Sequence, residues 1–176
     1  MVKAQEYEIT DNGGQPFLVK IYKSRIDVYA NYEEKNNFGK LLLEIKNYEK
    51  VFLGSDDGDD DYYYYEKGNN ILVKIGEHKY ILIGREIIEF ETDEEILEFD
   101  SPIGSNAVPY PYAIGKKYSY LFDGRIITRV PNIILPKIHP SQFDNYMEII
   151  VMKDKELNKF LAKHFNLECK VLVARL

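Results

Sequence analysis

Apolar and polar side chains alternate with a period of two along most of the first 135 residues, the spacing of half-buried strands. Phe17, Val19 and Ile21 alternate with Leu18, Lys20 and Tyr22, and Ile26, Val28 and Ala30 alternate with Asp27, Tyr29 and Asn31. The two runs predict a β-hairpin turning near Lys23–Ser24–Arg25. Asp11–Asn12–Gly13–Gly14 reads as a turn before them, because Asn and Gly tolerate positive φ. Leu41–Ile45 and Val51–Leu53 are further short strands. Ile71–Ile75, Tyr80–Ile83 and Ile87–Phe90, parted by Gly76–Glu77–His78 and Gly84–Arg85, predict a three-strand meander.

Thr92 with Glu95 three positions on resembles a capping box and predicts one helical turn through Ile96, Leu97 and Phe99. Ser101–Pro102 would stop that turn. Residues 101–115 form a loop rich in Pro, Gly and Tyr. Tyr118–Phe122 and Arg125–Val130 flank Asp123–Gly124, a two-residue hairpin signal. Pro131 and Pro136 bracket Ile133–Ile134–Leu135, an edge strand or an extended link. The period then changes. After a candidate N-cap at Asp154, Leu157, Phe160, Leu161 and His164 or Phe165 recur at spacings of three and four, with Lys155, Lys159 and Lys163 on other faces. This predicts a helix over about 154–165, closed at Asn166. Val171–Ala174 reads as a buried terminal strand. A weak internal similarity links residues 79–88 to 117–127, and two hairpins of one pattern account for it.

The expected fold class is therefore α+β and β-dominated: an antiparallel meander sheet or open barrel with one C-terminal helix. A chain of 176 residues fits a single domain, β-rich over 6–135 with the helix and last strand in 141–176. Aromatic residues make up 14% of it, as 15 Tyr and 9 Phe with no Trp, and this also favours pleated surfaces. Cys169 is the only cysteine; it excludes an intrachain disulfide and, lying in an apolar run, is expected to be buried and inert. The segment from Met1 to Gln5 lacks the apolar run of a signal peptide, and no run reaches the ~20 residues that span a membrane. The expected setting is intracellular, with no membrane contact.

The net charge of −6 divides unevenly. Residues 1–100 hold 12 basic and 23 acidic groups, a net of −11, and residues 101–176 hold 11 and 6, a net of +5. A basic half can bind polyanions; the alternative is that the two halves face each other and neutralise.

Asn12–Gly13–Gly14–Gln15–Pro16–Phe17, Val51–Phe52–Leu53–Gly54, Tyr80–Ile81–Leu82–Ile83–Gly84–Arg85–Glu86–Ile87 and the run from Ser101 to Ala113 resemble a family of small uncharacterised proteins of giant DNA viruses of the mimivirus kind. The resemblance spans roughly residues 10–122 and is carried by Val108–Pro109–Tyr110–Pro111–Tyr112–Ala113. It implies a viral origin, in the infected cell's cytoplasm or the virion, and brings no activity or functional residue. Where the family pattern has Asn and Asp, this chain has Ser105 and Ala107, which removes a carboxylate from that loop.

Candidate chemistry is sparse. Asp56, Asp57, Asp59, Asp60 and Asp61 share one loop, but on an EF-hand register Tyr62 stands where Gly is needed and Gly68 where the bidentate Glu belongs, so a solvated loop is the reading. Tyr62–Tyr65 suggests a stacking platform or an edge strand. His78, His139 and His164 share no metal-ligand spacing, and no nucleophile elbow, phosphate loop or dinucleotide fingerprint occurs. No cofactor or metal is expected. The candidate interaction site is Val108, Pro109, Tyr110, Pro111 and Tyr112, a proline-stiffened loop offering amphipathic rings. The leading expectation is a non-enzymatic viral protein-interaction or structural module with a host or viral protein partner. Nucleic-acid binding through the basic C-terminal half, or an enzyme whose site assembles only in space, are the alternatives.

Overall fold

The computed structural model describes residues 3–11, 14–33, 36, 38–53, 70–100, 111–132 and 166–174. They form fourteen strands, all paired antiparallel. The first sheet is a meander of β1 (Gln5–Asp11), β2 (Gly14–Ile21), β3 (Arg25–Ala30) and β4 (Leu41–Lys46). The middle sheet repeats the plan with β5 (Lys50–Leu53), β6 (Ile71–Gly76), β7 (Lys79–Ile83) and β8 (Ile87–Glu91). The third does so again with β9 (Ile96–Asp100), β10 (Tyr112–Gly115), β11 (Tyr118–Asp123) and β12 (Ile126–Pro131). The short β13 (Asn166–Leu167) then extends the third sheet beside β12, and β14 (Cys169–Val173) extends the middle sheet beside β8.

The period-two pattern becomes layering. Ile71, Val73, Ile81, Ile83 and Ile87 of the middle sheet join Val19, Ile26 and Val28 of the first in one apolar cluster. Their neighbours Leu72, Tyr80, Leu82, Ile88 and Phe90 point the other way and join Ile96, Phe99, Tyr120, Phe122 and Ile127 of the third sheet. The middle sheet is thus covered on both faces, which is why its strands are almost continuously apolar while those of the first sheet alternate with charge.

The β-dominated expectation holds, as three stacked open sheets rather than one sheet or a barrel. The internal similarity now has a place: β7–β8 and β11–β12 are the third and fourth strands of successive meanders. Leu18–Val19–Lys20–Ile21 and Leu72–Val73–Lys74–Ile75 likewise repeat one tetrapeptide in the second strands of the first two. The helix over 154–165 lies outside the described residues, and no α-helix occurs among those described.

Four expectations are corrected. Residues 112–115, expected within a Pro-, Gly- and Tyr-rich loop, are strand β10, paired with β9 and β11, so Tyr112 stands on a strand and not on a loop. Residues 96–100 are strand β9, not a helical turn: Ile96 and Phe99 are buried between two sheets, and pairing with β10 outweighs the local capping signal. Glu95 bonds Lys74 Nζ at 3.0 Å instead of reaching back to Thr92. In the β11–β12 hairpin the two loop residues are Gly124 and Arg125, since Asp123 pairs with Ile126. Gly124 takes φ +58°, which puts glycine at the first central position, as a type II′ turn requires. The last strand and Cys169 are only half-buried, because β14 is an edge strand.

Candidate functional site

The third sheet has two faces of different character. Ala113 and Tyr120 are paired across β10 and β11 and point into the apolar cluster shared with the middle sheet. Tyr112 pairs with Leu121 and Ile114 with Ser119, so these four point outward. Across the neighbouring strand Tyr112 faces Asp100 and Ile114 faces Glu98. On the far side Leu121 faces Thr128, and Asp123 faces Ile126. The outward face therefore has an apolar centre of Tyr112, Ile114 and Leu121, an apolar extension at Ile126, and a rim of Glu98, Asp100 and Asp123. Ile126 is 56% exposed.

The face is held firmly. The Tyr112 hydroxyl donates to Asp100 Oδ2 at 2.9 Å, and the Phe122 amide donates to the Pro111 carbonyl at 3.0 Å. At the sheet's end Asn132 is clamped by three bonds: its amide donates to Lys117 O at 2.8 Å, its Nδ2 to Gly115 O at 2.9 Å, and its Oδ1 accepts from Ser119 Oγ at 2.6 Å.

A buried carboxylate braces the sheet from inside. Glu94, 7% exposed, accepts from the Lys117 amide at 2.7 Å and from the Tyr118 amide and the Tyr120 hydroxyl, each at 2.9 Å. Burial, and then the bond to Glu94, push the Tyr120 hydroxyl well above the ordinary tyrosine range. Gly115 leaves room for this carboxylate; a Cβ there would overlap its oxygens. Both Glu94 oxygens thus engage fixed donors of β11 and the turn before it, which ties Glu94 to the third sheet.

Of the residues singled out in sequence, Tyr112 is placed on this face and Pro111 lies just before β10; both are half-buried. Val108, Pro109 and Tyr110, the Asp-rich loop, Tyr62–Tyr65, His139 and His164 lie outside the described residues. His78 occupies the β6–β7 turn at φ +57°, where its carbonyl accepts from the Thr92 amide at 2.9 Å. Among the described residues no group of three or more His, Cys, Asp or Glu could hold a metal, and no helix is long and apolar enough to cross a membrane. Burial pushes the Cys169 thiol up, and its Sγ donates to Arg125 O at 3.2 Å. Ile114, Leu121 and Ile126 were not singled out in sequence; their alternation was visible, but which parity faces outward needs the pairing register.

The charge asymmetry is partly resolved in space. Arg125 forks onto Glu86 at 2.7 and 3.0 Å, and Arg129 Nη1 meets Asp93 Oδ1 at 3.3 Å. Basic groups of the second half thus rest on acidic groups of the first. No family model matches the chain, and neither the curated proteins nor the solved structures contain a match.

Proposed function

We propose that this chain is a non-enzymatic interaction or structural module, working through polypeptide contacts on the outward face of its third sheet. The observation that carries this reading is that face: an apolar centre at Tyr112, Ile114 and Leu121 rimmed by Glu98, Asp100 and Asp123. A rigid aromatic anchor loses little entropy on binding, and an acidic rim selects an apolar segment with basic flanks. Engagement of Arg125 by Glu86 and of Arg129 by Asp93 weighs against the nucleic-acid alternative, which needs basic groups free for phosphates. The resemblance of the Val-Pro-Tyr-Pro-Tyr-Ala element supports a viral protein of the infected cell's interior or the virion, with a host or viral protein as partner.

The test is photo-cross-linking in producing cells. Benzoyl-phenylalanine replaces Ile114, and Glu6 of the first sheet in a control. A protein captured at position 114 but not at 6, and lost on Tyr112→Ala, is the expected result. Equal capture at both positions, or turnover of nucleotides, esters or glycosides by the purified chain at ordinary enzymatic rates, overturns the reading.

A further inference from the structure

The strands β13 and β14 differ from the others in where they come from. Each meander draws its four strands from one consecutive stretch of chain, whereas β13 and β14 join the edges of two such meanders from residues 166–173. In β13, Asn166 and Leu167 pair with Thr128 and Ile127 of β12. In β14, Cys169, Lys170, Val171 and Val173 pair with Phe90, Glu89, Ile88 and Ile87 of β8. With only Glu168 between the two strands, one short segment runs across the edges of the middle and third sheets.

The segment also differs in how it is held. Leu167, Cys169 and Val171 lean on the cluster between the middle and third sheets, and Leu172 and Val173 on the cluster between the first and middle. None of residues 166–174 is buried, while Ile87, Ile88 and Phe90 of β8 and Ile127 of β12 beside them are. A segment that buries little gives up little when it detaches, so it opens at a lower cost than the whole molecule. The edges left behind would be rows of unpaired backbone groups beside an apolar core, and such edges recruit a strand. The fit is selective: Lys170 stands opposite Glu89, apolar residues stand opposite Ile88 and Ile87, and Leu172 is the extra residue of a bulge between Val171 and Val173.

We infer that the edges of β8 and β12 together form a strand-accepting site, which a second copy of this chain fills with its own residues 166–173. The second copy is the partner because its segment carries the same register, charge and apolar pattern, so exchange keeps every pairing of the original. Residues 133–165 lie between Asn132 and this segment in sequence, a length of chain that reaches a neighbouring molecule. A chain's own segment has an effective concentration of about a millimolar, so it wins in dilute solution and exchange grows as the protein approaches that concentration. The site is separate from the outward face of the third sheet, and neither reading depends on the other.

The test has two parts, both on the full-length chain. Hydrogen exchange of the parent chain should show amides of β13 and β14 exchanging at least ~10-fold faster than those of β6 and β7. For exchange between copies, Cys169→Ser removes the native thiol, and Lys170→Cys or Glu89→Cys then gives each chain a single cysteine. Residues directly opposite across two strands lie within disulfide reach. The two variants are mixed at ~1 mM, incubated, diluted and oxidised, or kept at ~1 µM throughout. A disulfide between position 170 of one chain and position 89 of the other, mapped by mass spectrometry, should form from the concentrated mixture and be at least ~10-fold rarer from the dilute one. Lys46→Cys in place of Glu89→Cys controls for random encounter. Amides of β13 and β14 as slow as those of β6 and β7 overturn the inference, as does a 170–89 disulfide no more abundant than the 170–46 one. Should a cysteine variant fail to fold, the parent chain decides: a dimer that survives dilution from the concentrated sample supports exchange, and a monomer from both samples overturns it.

Discussion

Glu94 shows how one residue's role depends on its neighbours. In sequence it is half of an unremarkable Glu94–Glu95 pair; in space its carboxylate fastens β11 to the turn before β9 through Lys117, Tyr118 and Tyr120. A hydrogen bond to a charged group contributes about 1.5–3 kcal/mol, so Tyr120→Phe should lose about 2 kcal/mol in urea unfolding with the ring packing kept. Glu94→Leu should cost at least as much, since it leaves the two amides and the Tyr120 hydroxyl without their acceptor. Equal stability of both variants and the parent would show that the brace contributes nothing. The same burial sets a pH dependence. Tyr80 and Tyr120 are held neutral above the ordinary tyrosine range, each chiefly by burial. A pKa raised on folding gives stability that is complete below the unfolded value, about 10 for tyrosine, and is lost as pH rises above it. Urea midpoints should therefore fall between about pH 10 and 12, and Tyr120→Phe should flatten that fall. A midpoint that drops as steeply in Tyr120→Phe as in the parent would remove Tyr120 from the account.

Among the elements, the hairpins were the most legible and β9 the least. Asp123–Gly124 announced the β11–β12 turn, though the register sets Gly124–Arg125 as its loop. Because Gly124 sits at φ +58°, any residue with a Cβ is strained there, and Gly124→Ala should destabilise by about 1–2 kcal/mol. Gly124→Asn should cost less, since Asn tolerates that region. Chemical denaturation of the pair checks the order, and an Ala variant at least as stable as the Asn variant would contradict it. For β9, a local capping signal at Thr92 competed with burial of Ile96 and Phe99 between two sheets, and burial won. No window of five residues contains that outcome, because the strand that decides it, β10, is separated from β9 by residues 101–111.

At the scale of the molecule, the middle sheet carries the fold. Ile83 belongs to the cluster with the first sheet and Leu72 to the cluster with the third, and both are fully buried. Ile83→Ala and Leu72→Ala should each cost about 2–5 kcal/mol, as large-to-small changes in a packed core do. If the three sheets form one cooperative unit, each variant should still melt in a single transition, with fluorescence and circular dichroism coincident. A biphasic melt in either variant would mean that the layers unfold separately.

Most strands of the meanders, several of their turns and the apolar runs Ile71–Val73 and Tyr80–Ile83 of the middle sheet were legible in the sequence, because period-two alternation and turn chemistry are local properties. The sequence also marked Tyr112, through the prolines beside it. Long-range pairing settles the rest: the strands divide into three stacked sheets, Thr92–Phe99 leads into a strand, Arg125 and Arg129 rest on Glu86 and Asp93, and Ile114 and Leu121 share an outward face with Tyr112. Each of these depends on which residues stand opposite one another across strands and sheets. Alternation is indifferent to that choice: a strand reads the same in sequence whichever of its faces meets the core.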